Sequence, residues 1–258
     1  MDRLLLVGVE PDEISELRPR LDIPFVSTVT LPRIKVERGT LHVERPNAVG
    51  HFLPISKVVF HGIYENDFDF INALALWGGP CLPSADGMLD LRLRLPGLVR
   101  SLRVSRFNAM PRSFAVTGVS VNVDRESVSK WGNWHCGENK EKFTGEWKAQ
   151  QATVIEDFVE GQAVRIVLIG DRPWQIHLTG ETWKKSIHPD DAAYMPIDAE
   201  LLEDTRRLRD HFKIDVIGVD YMIGNGGTKH LLEVNHIPNV TRFPEIRAAY
   251  LDLVAKWV

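Results

Sequence analysis

Two short strands joined by a turn near the end of this chain restrict its fold more than any other stretch. Val216-Ile-Gly-Val-Asp220 has the β-branched density of a buried strand, Asn225-Gly226-Gly227 forms a tight turn, and Leu231-Leu-Glu233-Val-Asn235 returns beside it. Period-two alternation puts Glu233 and Asn235 on one side of the returning strand and sends Leu232 and Val234 to the other, into a core. With Asp220 on the neighbouring strand, two carboxylates and an amide carbonyl converge. Oxygen donors of that kind suit a hard divalent cation, Mg²⁺ above all. A surface hairpin with scattered polar residues is the bland alternative, and the hairpin alone does not separate the two.

The preceding residues add cations in strand-forming surroundings. In Ala163-Val-Arg165-Ile-Val-Leu-Ile169, alternation places Arg165, Val167 and Ile169 on one face and Val164, Ile166 and Leu168 on the other. A lone guanidinium in such a run either pairs with an acid at an edge or faces an anionic ligand. Upstream, Lys130 precedes a stretch containing Gly132 and Gly137, and the glycines permit close backbone approach to a ligand. That stretch also carries Trp131, Trp134, His135 and Cys136, whose aromatics are read as packing rather than ligand-facing. His135 and Cys136 are sequence neighbours that point apart on an extended chain, so they do not form a nucleophilic dyad.

Taken together, the Asp220/Glu233/Asn235 set, Arg165, Lys130 and the run Ala152 to Gly161 resemble the nucleotide-binding core of the ATP-grasp superfamily, in particular its carboxylate–amine ligases. The resemblance extends from about Pro111 to Val258. It implies an α/β fold with α+β lobes: an N-terminal pre-grasp α/β domain (1–88), a linker and central nucleotide-binding lobe (89–160) and a C-terminal grasp lobe with a metal site (161–258), the last two clamping ATP between them. Asp220, Glu233 and Asn235 would hold Mg²⁺ or Mn²⁺. Glu156, Phe158 and Val159 would lie on the adenine side at the hinge, and Lys130 would meet the phosphates. Arg165 would face the phosphates or the substrate carboxylate. Lys184 or Lys185 would contact the terminal phosphate or an acyl phosphate, and Asn239 and Arg242 lie where relatives bind the carboxylate substrate. Where relatives carry a linker lysine that touches ATP, this chain offers Arg92 or Arg94, of which Arg92 is the candidate. The implied activity is ADP-forming ligation of a small-molecule or peptide carboxylate to an amine through an acyl phosphate. A small-molecule kinase and a non-catalytic nucleotide-binding module are the alternatives.

The first hundred residues carry no specific motif, but their order fits a small α/β lobe. Leu4–Val9 reads as a buried strand, Pro11–Leu21 as a helix, Phe25–Thr30, Arg33–Glu37, Leu41–Glu44 and Lys57–Phe60 as strands, and Phe68–Trp77 as a helix ended by Gly78-Gly79-Pro80. Leu89 to Val104 reads as a linking helix interrupted at Pro96-Gly97. Asp198 is a good N-cap for an amphipathic helix over Ala199–Phe212, and Pro244–Trp257 is the last helix. The formal charge of −4 argues against nucleic acid or a membrane surface as the main partner. Two cysteines without zinc spacing, and no signal peptide or membrane-spanning run, suggest a reduced, cytoplasmic protein; a homodimer is compatible with all of this. No Ser/His/Asp hydrolase signature and no Walker-type glycine loop competes with the reading.

Overall fold

The fold is that of a computed structural model describing residues 2–133, 139–188, 190, 192–238 and 243–258. In the first unit, β1 (Leu4–Val7), β2 (Phe25–Thr28), β6 (Lys57–Phe60) and β7 (Cys81–Leu82) form a parallel sheet in the order β2-β1-β6-β7. Strand β1 is wholly apolar because both of its faces are covered. Leu4 and Leu6 pack with Ile14 and Leu17 of α1 (Pro11–Leu17), and Leu5 and Val7 pack with Phe70, Ile71 and Leu74 of α2 (Asp67–Trp77). A side sheet of β3 (Ile34–Glu37), β4 (Thr40–Arg45) and β5 (Ala48–Ile55) is antiparallel. Strand β5 was not legible because Gly50 and Pro54 interrupt it, yet Pro54 is tolerated on an edge strand, where no partner needs its missing N–H.

The linker is two helices, α3 (Ala85–Leu91) and α4 (Arg94–Leu102). The break falls at Arg92–Leu93 rather than at Pro96-Gly97. Pro96 sits in the first turn of α4, where a missing N–H removes no intrahelical bond.

A four-stranded antiparallel sheet follows, ordered β10-β9-β11-β8, from β8 (Arg112–Ala115), β9 (Ser120–Trp131), β10 (Lys140–Lys148) and β11 (Thr153–Asp157). The charge-dense stretch after Gly137 is largely β10: Lys140 and Lys142 alternate with Glu141 and Phe143 along it. The last unit is a five-stranded antiparallel sheet of β12 (Gly161–Ile169), β13 (Arg172–His177), β14 (Ala193–Met195), β15 (Val216–Gly224) and β16 (Lys229–Asn235), in the order β14-β13-β12-β15-β16. Helix α5 (Ala199–Phe212) covers the face carrying Val164, Ile166 and Leu168, and α6 (Pro244–Trp257) covers the face carrying Val167 and Ile169. That alternation matches the strand pattern of the sequence. Asp198 caps α5 as expected, accepting from Glu200 N at 3.0 Å and Leu201 N at 3.2 Å. Among the described residues, no helix is long and apolar enough to cross a membrane.

Candidate active site

A cleft opens between the four-stranded and five-stranded sheets where β11 runs through Phe158 and Val159 into β12. One group of its lining residues is apolar: Val128, Phe158, Val159, Leu178, Met222 and Leu232. The other is charged: Arg94, Lys130, Lys140 and Lys185 with Glu156, Asp157, Asp220 and Glu233. Such a cleft accepts a ligand with a flat apolar part and a highly charged part.

The hairpin read from sequence builds the acidic wall. Asp220 on β15 lies directly opposite Glu233 on β16, and Gly218 opposite Asn235. Between these pairs and the turn, however, the register slips at a bulge: Tyr221 pairs with Leu231, leaving Leu232 unpaired. Leu231 therefore joins the buried core with Val234, while Leu232 turns into the cleft. The expectation that Leu232 points into the core is corrected by that one extra residue. Asn235 is buried, and its Nδ2 finds no hydrogen-bond partner among the described residues. Two carboxylates and the carbonyl oxygen of a buried amide make a donor set that fits a hard divalent cation.

Arg165 is the cross-strand partner of Asp220 and grips it with both arms, Nε to Oδ1 at 2.6 Å and Nη2 to Oδ2 at 2.8 Å. Burial pulls its pKa down, but Asp220, with Glu233 behind it, more than offsets that and raises it. On the opposite wall, Glu156 is 3% exposed and clasped by two cations: Arg112 Nε donates to Oε1 at 2.7 Å, and Lys130 Nζ donates to Oε2. Burial alone would raise this carboxyl's pKa, yet Lys130 and Arg112 together hold it below the usual glutamate value. Arg112 also donates to Leu231 O at 2.7 Å, tying the four-stranded sheet to β16. Glu156 thus reaches the cleft with both carboxylate oxygens already engaged.

The remaining candidates divide. Phe158 and Val159 line the cleft, with Trp183 edge-on to Phe158 at 6.2 Å and Lys142 Nζ 3.7 Å from its ring centre. Lys185 lines it too, donating to Gly180 O at 2.8 Å, whereas Lys184 lies 5.7 Å from the Trp183 ring and is not part of the lining. Arg92 does not line the cleft either. It is buried against Asp67, which is 0% exposed, and donates to Tyr64 O at 2.9 Å; a buried carboxylate requires such a partner. Arg94 is the linker arginine at the cleft, where its Nη2 donates to Trp131 O and, at 3.3 Å, to Gly132 O. Trp131 packs on Trp147 at 5.6 Å, as the packing reading of the aromatics requires. Trp134, His135, Cys136, Asn239 and Arg242 lie outside the described residues. Cys81 is a partly buried thiol, its pKa pushed up to about 12, first by burial and then by Asp86.

Sequence reasoning missed Lys140, Arg112, Met222 and Trp183. The alternation of Lys140 and Lys142 was the available signal for a strand with a cationic face. Burial pulls the Lys140 pKa down and Lys130 adds to the effect, while Glu233 and Asp220 oppose it.

No family model and no curated protein matches this chain by sequence. Solved structures do match it in shape along almost its whole length. D-alanyl-alanine synthetase A from Vibrio cholerae superposes with a TM-score of 0.64 at 12% identity, over 99% of this chain and 97% of that one. The ATP-grasp ligase PsnB complexed with a minimal precursor gives 0.63 at 14% identity, over 98% of each chain. A RimK domain ATP-grasp protein from Sphaerobacter thermophilus gives 0.64 at 14% identity, over 100% and 99%. The chain has the ATP-grasp fold.

Proposed function

We propose that this protein is an ATP-dependent ligase that joins a carboxylate to an amine through an acyl phosphate, releasing ADP and orthophosphate. The observation that carries the reading is the facing of two opposite charge sets across one cleft: Asp220 and Glu233 on the five-stranded sheet, and Lys130 and Lys140 on the four-stranded sheet. A nucleotide polyphosphate with divalent metal complements both sets, the acids through the metal and the lysines directly.

A carboxylate is a poor acyl donor because hydroxide is a poor leaving group. A carboxylate oxygen would attack the γ-phosphorus of ATP while the bond to ADP breaks; the amine nitrogen would then attack the acyl carbon, expelling phosphate and losing a proton. Two anions must be held together for the first step. Lys130, Arg165 and Lys185 would offset that repulsion, and Phe158, Val159 and Leu232 would enclose the base. A Mg²⁺ on Asp220, Glu233 and Asn235, when bound, supplies charge neutralisation at the phosphate oxygens. PsnB, solved also with its precursor peptide PsnA2, supports a peptide as one substrate.

The test is thermal unfolding with ATP, ADP and AMP, each with and without Mg²⁺, followed by phosphate release on a panel of carboxylates and amines. The expected result is a Mg²⁺-dependent shift with ATP or ADP, and phosphate release that needs both acyl and amine substrates. Absence of any shift at millimolar nucleotide refutes the reading. Phosphate retained on a product instead identifies a kinase.

A further inference from the structure

On the nucleotide reading above, we propose that Lys140 binds the terminal phosphates of the nucleotide directly, as the partner of Lys130. Lys140 opens β10 and lies directly across the antiparallel ladder from Lys130 on β9. Side chains of such a pair project from the same face, and like charges there repel. Both line the cleft. The two differ in what they touch: Lys130 is neutralised by Glu156, whereas among the described residues no hydrogen bond or salt bridge engages the Lys140 ammonium, and its nearest ring contact is Trp183 at 5.8 Å. Lys142, two residues on and on the same face, is different again, paired with Glu126 at 2.8 Å and seated on Phe158. Asp220, on the facing wall, has both oxygens occupied by Arg165. A partly buried cation opposite another cation is unfavourable in the free protein and becomes favourable when a polyanion bridges the two. Burial and repulsion from Lys130 act in the same sense on its ionisation.

The experiment is calorimetric titration of full-length wild type, K140Q, K140R and K142Q with Mg·ADP and with adenosine, alongside ligand-free melting curves. K140Q should weaken Mg·ADP roughly tenfold, the factor carried by one charge-assisted hydrogen bond, and K140R should recover part of it. Adenosine affinity should stay within about twofold, because an uncharged ligand makes no use of the ammonium. Ligand-free K140Q should melt at or above wild type, since relief of a like-charge pair does not destabilise. A structural role moves these readouts the other way: a lower melting temperature, with equal losses for ADP and adenosine, overturns the proposal. Unchanged Mg·ADP affinity in K140Q also overturns it, as does a K142Q loss with the same selectivity for ADP. If wild type itself takes up no Mg·ADP, the nucleotide reading falls and this inference with it; wild-type binding with an unaffected K140Q removes Lys140 alone.

Discussion

Replacing Glu156 by Gln should be among the most destabilising conservative changes in the central lobe. The carboxylate is 3% exposed and receives Arg112 Nε at 2.7 Å and the Lys130 ammonium, whose side chains are themselves only 11% and 16% exposed. Gln keeps the shape and one acceptor oxygen but cancels the charge, leaving two cations against a neutral group. Breaking a buried ion pair costs about 3–5 kcal/mol; because Lys130 retains some access to water, about 3 kcal/mol is expected. For a chain of this size that corresponds to roughly 6–12 °C in melting temperature. Urea unfolding should show the loss as a lower midpoint at unchanged slope. The double variant E156Q/K130M supplies the decisive term: removing the orphaned ammonium should restore about 1–2 kcal/mol relative to additivity. The deficit should also narrow in acid. Glu156 has a lowered pKa in the folded protein, so its contribution is present above the ordinary glutamate range and is lost as pH falls through the folded value. A loss under about 1 kcal/mol, or strictly additive single variants, would refute the picture of a buried two-cation clasp.

The bulge in β16 separates neighbours of identical chemistry: Leu231→Ala should cost about 2–5 kcal/mol, whereas Leu232→Ala should cost under about 1 kcal/mol and weaken nucleotide binding, as read by urea unfolding and calorimetry. Asp220→Asn and Glu233→Gln should each weaken Mg²⁺-dependent nucleotide binding about tenfold or more while the circular dichroism spectrum is retained; unchanged Mg·ATP affinity in both removes these residues from the site. His61, buried against Tyr250 at 4.4 Å, has its pKa pushed down to about 4 by burial, so the unfolded chain binds more protons and stability falls on acidification from about pH 6.5, by roughly 3 kcal/mol in all. Glu13 and Arg247 line the same crevice, and Glu13, raised by burial, contributes the opposite slope. The measurement is therefore the difference between wild type and His61→Asn across that range, which should flatten in the variant.

What sequence could read was whatever local periodicity fixes. The two apolar faces of β12, the Asp198 cap and the Asp220/Glu233 pairing follow from alternation and turn chemistry within a few residues. What it missed depends on register between distant segments. Whether Leu231 or Leu232 meets the cleft is decided by one bulged residue, and LLEV carries no mark of it. Arg92 and Arg94 are indistinguishable by spacing; their fates diverge because buried Asp67, on a helix far upstream, captures the first. Lys140 was hidden for a different reason. Its strand has only Phe143 and Trp147 as large apolar residues among charges, so it reads as loop, and pairing with β9 makes it regular.

The acidic wall was therefore easier to find than the cationic one, and the reason is physical. A hairpin delivers Asp220 and Glu233 from adjacent strands, so a short-range pattern suffices. The cations that face them come from α4, β9, β10 and the segment after β13, and three of them are fixed by separate contacts: Arg94 by carbonyls of Trp131 and Gly132, Lys130 by Glu156, Lys185 by Gly180 O. Dispersed anchoring of this kind makes the positive wall depend on contacts scattered over the linker, the four-stranded sheet and the segment after β13. Arg112 reinforces the dependence, since the guanidinium that holds Glu156 also donates to the backbone of β16 across the cleft. Loss of Glu156 would consequently disturb both the placement of Lys130 and the seam between the lobes, which is why stability and nucleotide affinity should fall together in that variant while Lys140 substitutions separate them.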